Sequence, residues 1–117
     1  MLVLACCALG GCDTNQPPVT REALIGSYSY VSKDPESRAT DHNLDHLALQ
    51  SDGKYDLVQG GSTKPRTETV GAWTLWTAGA DGPEVLLDHS GYPIQMKSNE
   101  VRLLIDNDLG IWYAKAK

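Results

Sequence analysis

The chain has 117 residues, with 15 acidic side chains against 10 basic ones and a net charge of −5. That length carries one domain and not two. Lysine and arginine are scattered singly, which excludes the basic stripe of a nucleic-acid binder and the cationic patch that docks on anionic headgroups.

The chain opens MLVLACCALGGC, and from residue 1 to 11 every side chain is apolar or small and none is charged. A transmembrane helix takes about 20 apolar residues, so this stretch is too short to be one. It suits the h-region and small-residue cleavage site of a secretory signal, although the basic n-region is missing. All three cysteines, Cys6, Cys7 and Cys12, lie in this opening. Its last four residues, Leu9-Gly10-Gly11-Cys12, resemble the lipobox of bacterial lipoproteins. The resemblance implies that the chain is cut before Cys12, that the Cys12 sulfur is diacylated and that the new amino terminus is acylated. The membrane is then a partner through the lipid at Cys12, since two or more acyl chains hold durably where one does not. It also implies the bacterial cell envelope, with the domain facing the periplasm. Asp13 resembles the signal that retains lipoproteins of enteric bacteria in the inner membrane, a rule that varies between groups and leaves the choice of membrane open. No thiol would remain for a disulfide, a metal or a nucleophile.

Three parts follow: a signal over 1–11, a lipidated cysteine with a polar, proline-bearing tether over 12–20, and a domain over 21–117. In the domain, Thr20 ahead of Arg21-Glu22-Ala23-Leu24 predicts one capped helical turn. Gly26 then opens SYSYVS, whose strict alternation predicts a strand. After the polar stretch KDPESRATDHN, two short apolar runs flank Asp52-Gly53, the clearest hairpin signal in the chain. Leu47, Leu49, Tyr55 and Leu57 would share one face. QGGSTKP reads as a loop. The strand RTETVGAWTLW puts Trp73 and Leu75 on one face and Val70, Ala72, Thr74 and Trp76 on the other, with Gly71 leaving room beside Trp73. AGADGP is a turn, and EVLLD, YPIQMK, EVRLLID and GIWYAK are four further short strands.

The fold class is therefore all-β: an antiparallel meander of about eight strands with at most one helical turn, closed into a small barrel or half-barrel that hides its edges. The order of features, namely a helical turn, the Gly26–Tyr28 strand, the DGKY hairpin, the GAW-T-L strand and the ending DNDLGIWYAK, resembles the lipocalin-like families, and small uncharacterised bacterial lipoproteins among them. Tyr28 stands where lipocalins usually carry tryptophan, and the chain is far shorter than theirs. The resemblance covers residues 22 to 115 and implies a barrel that binds a small apolar ligand.

The candidates for chemistry are few. His42 and His46 are four apart in DHNLDH and would share a helix face suited to zinc, with His89 or Asp88 as a further ligand. The strand-like run from His46 breaks that helical spacing, so no metal site is expected. Asp106, Asn107 and Asp108 form DNDLG, which lacks the ligand spacing of a calcium loop and has what a tight turn requires. No nucleophile stands beside a base, no nucleophile elbow or phosphate loop is present, and no cofactor is expected. The eight aromatics are all tryptophan or tyrosine, a profile enriched at wet pockets and interfaces. Trp73, Trp76, Trp112 and Tyr28 are the expected contacts for a ligand or partner, and either Trp73 or Trp76 has to face outward. The leading expectation is a lipid-anchored, non-catalytic envelope protein that binds a small apolar ligand. An envelope protein-interaction or inhibitor module is the alternative, and a metal-binding lipoprotein the third reading.

Overall fold

The computed structural model describes residues 19–35, 39–80, 82–97 and 99–116. The expected signal, Cys12 and most of the expected tether lie outside the described residues. Eight strands follow one another: β1 (Gly26–Ser32), β2 (His46–Leu49), β3 (Lys54–Gly61), β4 (Lys64–Trp76), β5 (Glu84–Leu87), β6 (Ser90–Lys97), β7 (Glu100–Asp106) and β8 (Ile111–Lys115). Each pairs antiparallel with the next, and β8 pairs with β1 to close a small lipocalin-like barrel. Two helical turns accompany them, α1 (Arg21–Leu24) and α2 (Ala39–His42). The second turn corrects the expectation of at most one: four residues show no helical periodicity, so the sequence could not separate α2 from loop. No helix among the described residues is long and apolar enough to cross a membrane.

Alternation along the strands decides what lies inside. Leu47 faces Leu57 and Leu49 faces Tyr55 across β2 and β3, and all four are buried together with Tyr28, Trp73, Val85, Leu87, Val101, Leu103 and Tyr113. Trp73 at 2 % and Tyr28 at 0 % exposure are the largest wholly enclosed side chains. Ile94 and Met96 pack against this cluster from β6. The barrel interior is thus filled with side chains. The β2–β3 hairpin turns at Gly53, whose φ of 87° favours glycine. Its amide donates to the Gln50 carbonyl and the Asp52 carboxylate accepts from Lys54 N.

Strand β4 changes partner midway. Its first part, to Ala72, lies against β3, and Trp73 to Trp76 lie against β5. The loop expected over 59–65 shrinks to a two-residue turn, because β3 runs to Gly61 and β4 already begins at Lys64. On the side away from β3, residues 64–71 have no strand partner among the described residues. Lys64, Pro65, Arg66 and Glu68 occupy that edge, which is how charge and proline blunt an open strand.

At the change of partner sits a small lock. Asp88 N donates to the Ala72 carbonyl, the Asp88 carboxylate accepts from Ala72 N at 3.2 Å, and the Tyr55 hydroxyl donates to Asp88 Oδ2 at 2.8 Å. The space Gly71 leaves is therefore taken by this carboxylate and not, as the sequence suggested, by Trp73; a Cβ on Gly71 would overlap Asp88. Gly71→Ala should cost about 1 kcal/mol, because the exposed Asp88 carboxylate can swing aside and the loss is that of its hydrogen bonds. The loss should shrink in the Gly71→Ala/Asp88→Ala double variant, since the two residues compete for one space. Equal, additive losses in urea denaturation would refute the lock.

The Tyr55 hydroxyl and then the Ala72 amide hold the Asp88 carboxyl below its ordinary range. Burial, followed by the Asp88 hydrogen bond, pushes the Tyr55 hydroxyl up to about 12. A depressed carboxyl contributes stability above its unfolded value of about 3.9 and loses it as pH falls through the folded value. Urea midpoints taken from about pH 5 to about pH 2 should therefore fall less steeply for Asp88→Asn than for the wild type.

One end of the barrel is closed by α1. Four residues cannot hold a helix alone, so tertiary contacts fix it. Thr20 caps the turn by accepting from Ala23 N, and Leu24 is wholly buried. The Tyr28 hydroxyl donates to the Leu24 carbonyl at 2.6 Å and Lys115 Nζ to the Ala23 carbonyl at 2.7 Å. Arg21 lies over the Trp73 ring at 4.8 Å, while Trp73 Nε1 donates to the Gln50 carbonyl at 2.8 Å.

Candidate functional site

The opposite end of the barrel is open, and polar groups gather there. Tyr30, near the end of β1, stacks on His42 at the end of α2, with ring centroids 4.1 Å apart and planes 10° apart. His42 Nδ1 lies 2.9 Å from Asp45 Oδ2. An ionised Asp45 can only accept, so Nδ1 is the donor in this pair.

Asp45 is the one buried charged side chain among the described residues, at 8 % exposure. Its second oxygen, Oδ1, accepts from Gly60 N at 2.8 Å, so both oxygens are satisfied where an unpaired charge would be costly. The backbone repeats the join: Leu44 N donates to the Gly60 carbonyl and Asp45 N to the His42 carbonyl. The pairing of β3 with β4 is irregular between Gln59 and Gly61, and such bulges re-aim the groups around them.

Tyr113 of β8 lies below this pair, 6.3 Å from both the Tyr30 and Tyr92 rings. Burial raises its hydroxyl well above the ordinary range; the Asp45 charge adds to the rise, and a hydrogen bond with Gln59 works against it. At this end lies a cleft of about 290 Å3, lined by Asp41, His42, Asp45, Gln59, Lys64 and Thr67 among others. Asp41 also hydrogen-bonds Thr63, tying α2 to the β3–β4 turn. The cleft therefore offers a lysine cation, two carboxylates, an amide, a hydroxyl and an imidazole set in largely apolar walls.

The expected contact residues separate. Tyr28 and Trp73 belong to the core, with their polar atoms bound to backbone carbonyls. Trp76 lies on the outer face and is 49 % exposed. Trp112 is on the outer face of β8, covered by the Arg102 guanidinium at 4.2 Å, and its buried Nε1 has no hydrogen-bond partner. Cys12 is outside the described residues. His42 reaches the mouth, but His46 is exposed at the start of β2, Asp88 belongs to the lock, and no three His, Cys, Asp or Glu side chains among the described residues are placed to hold a metal.

Sequence reasoning missed the roles of Tyr30, Asp45, Gln59, Lys64 and Thr67. The signal available was His42-x-x-Asp45 ahead of a strand, spaced for one turn; the other partners come from β1, β3 and β4, which only closure brings together. No protein-family model matches the chain, and neither a curated protein nor a solved structure does.

Proposed function

We propose that this chain is a lipid-anchored protein of the bacterial cell envelope, held at Cys12 and facing the periplasm, which binds a small polar ligand at the mouth of its barrel without transforming it. One observation carries the binding reading: a cleft in which polar groups of His42, Asp45, Gln59, Lys64 and Thr67 are set in largely apolar walls opens at the mouth of a barrel whose axis is filled by Tyr28, Trp73 and Tyr113. Those side chains take up the space an apolar ligand would need, which moves the expected ligand from apolar and internal to polar and at the rim. The anchor rests on Leu9-Gly10-Gly11-Cys12, and Cys12→Ser should abolish acylation and release the protein from membranes.

The test of the binding reading is native mass spectrometry of the full chain extracted from membranes in mild detergent. A bound mass that disappears in Lys64→Glu supports it; a clean mass in the wild type, or one unaffected by that substitution, refutes it. A second reading, a protein-interaction module, is favoured by the unpaired edge over residues 64–71, since such an edge can accept a strand from a partner. A photo-crosslinker at Arg66 that traps an envelope protein would select this reading.

A further inference from the structure

The molecule has an exposed tryptophan at the end where the chain enters the domain. Trp76, at the end of β4, has 49 % of its surface exposed. Three residues earlier on the same strand, Trp73 is pinned under Arg21 of α1 and its backbone N–H donates to the Gly53 carbonyl of the β2–β3 turn. A strand advances about 3.3 Å per residue, so β4 carries Trp76 about 10 Å past the α1 plug. Trp76 thus lies at the closed end, away from the cleft. Trp76, Thr77, Ala78, Gly79 and Ala80 form an uncharged run in which all but Gly79 are exposed.

We propose that this closed end docks on the surface of a phospholipid bilayer, with Trp76 seated at headgroup level and the His42–Asp45 mouth turned away from the membrane. The inference rests on the anchored reading above. Val19 packs against the core at this end, and the seven-residue span from Cys12 to Val19 reaches about 25 Å at most. An acylated Cys12 therefore holds the closed end, where the tether joins the domain, nearest the lipid. Tryptophan is the side chain that favours the interface, with an apolar ring and one N–H for the headgroups. Since the chain carries a net charge of −5, contact relies on the indole and not on cationic attraction.

The test reconstitutes the full acylated chain in phosphatidylcholine vesicles whose acyl chains are brominated near the headgroup, and reads tryptophan quenching beside flotation. The chain should float with the vesicles, part of the wild-type emission should be quenched, and that quenching should be lost in Trp76→Phe. A floating chain whose wild-type emission is unquenched, or is quenched equally in Trp76→Phe, overturns the docking while leaving the anchor intact. A chain that neither carries acyl groups nor floats overturns the anchored reading and the docking with it.

Discussion

Trp73→Ala is expected to remove about 3–5 kcal/mol of stability, the range for truncating a buried aromatic. The residue is 2 % exposed at the centre of the core, and its indole also joins Arg21 of the α1 plug to Gln50 of the β2–β3 turn. Trp73→Phe is milder, because it keeps a six-membered ring while losing the bond to the Gln50 carbonyl and the packing of the five-membered ring, a loss of about 1–2 kcal/mol. Urea denaturation followed by circular dichroism measures both. If Trp73 fills the axis, its removal leaves an apolar void that takes up a small apolar solute. Added indole should then raise the Trp73→Ala midpoint by mass action and leave the wild type unchanged. A Trp73→Ala loss below about 1 kcal/mol, well short of the core range, would refute the filled interior and restore the hollow barrel with an apolar ligand.

The second large effect is expected at Asp45. Asp45→Ala leaves the Gly60 amide and His42 Nδ1 without their acceptor, and the buried Gly60 amide stripped of a charged acceptor, with the partly exposed His42 ring released beside it, should cost about 3 kcal/mol. For a domain of this size the midpoint of thermal unfolding should drop by roughly 12–24 °C. Asp45→Asn keeps one acceptor oxygen and should lose less than half as much. The loss should be local in origin: Asp45 joins the α2 turn to β3, so hydrogen exchange should rise first at Leu44 and Gly60 and last in the Leu47–Leu57 core. Uniform acceleration across the barrel would contradict a local clamp. Ligand binding at the mouth should fail in Asp45→Ala even where the barrel persists, because His42 loses its orientation over Tyr30.

The two positions show how unevenly the sequence discloses its structure. Alternation alone puts Trp73 and Trp76 on opposite faces of β4, because a strand's side-chain period of two is fixed by the backbone, but only the structure shows that Trp76 is the one facing outward. Asp45 was visible only as part of DHNLDH, where histidine spacing drew attention to a metal. Its actual partner, Gly60, is fifteen residues away, and no local pattern announces that contact.

By itself, then, the sequence determined the eight strands, the Asp52-Gly53 hairpin, the Thr20 cap and the burial of Leu47, Leu49, Tyr55 and Leu57, all consequences of local period and turn chemistry. It also carries the lipobox resemblance at Cys12, on which the proposed anchor rests. Only the tertiary structure decided that the barrel closes on itself and that its axis is filled. It alone placed Asp88 in the space left by Gly71 and assembled a polar mouth from β1, α2, β3 and β4. The physical reason is that side-chain direction is a property of neighbouring residues, while a site is a property of strands brought together by closure.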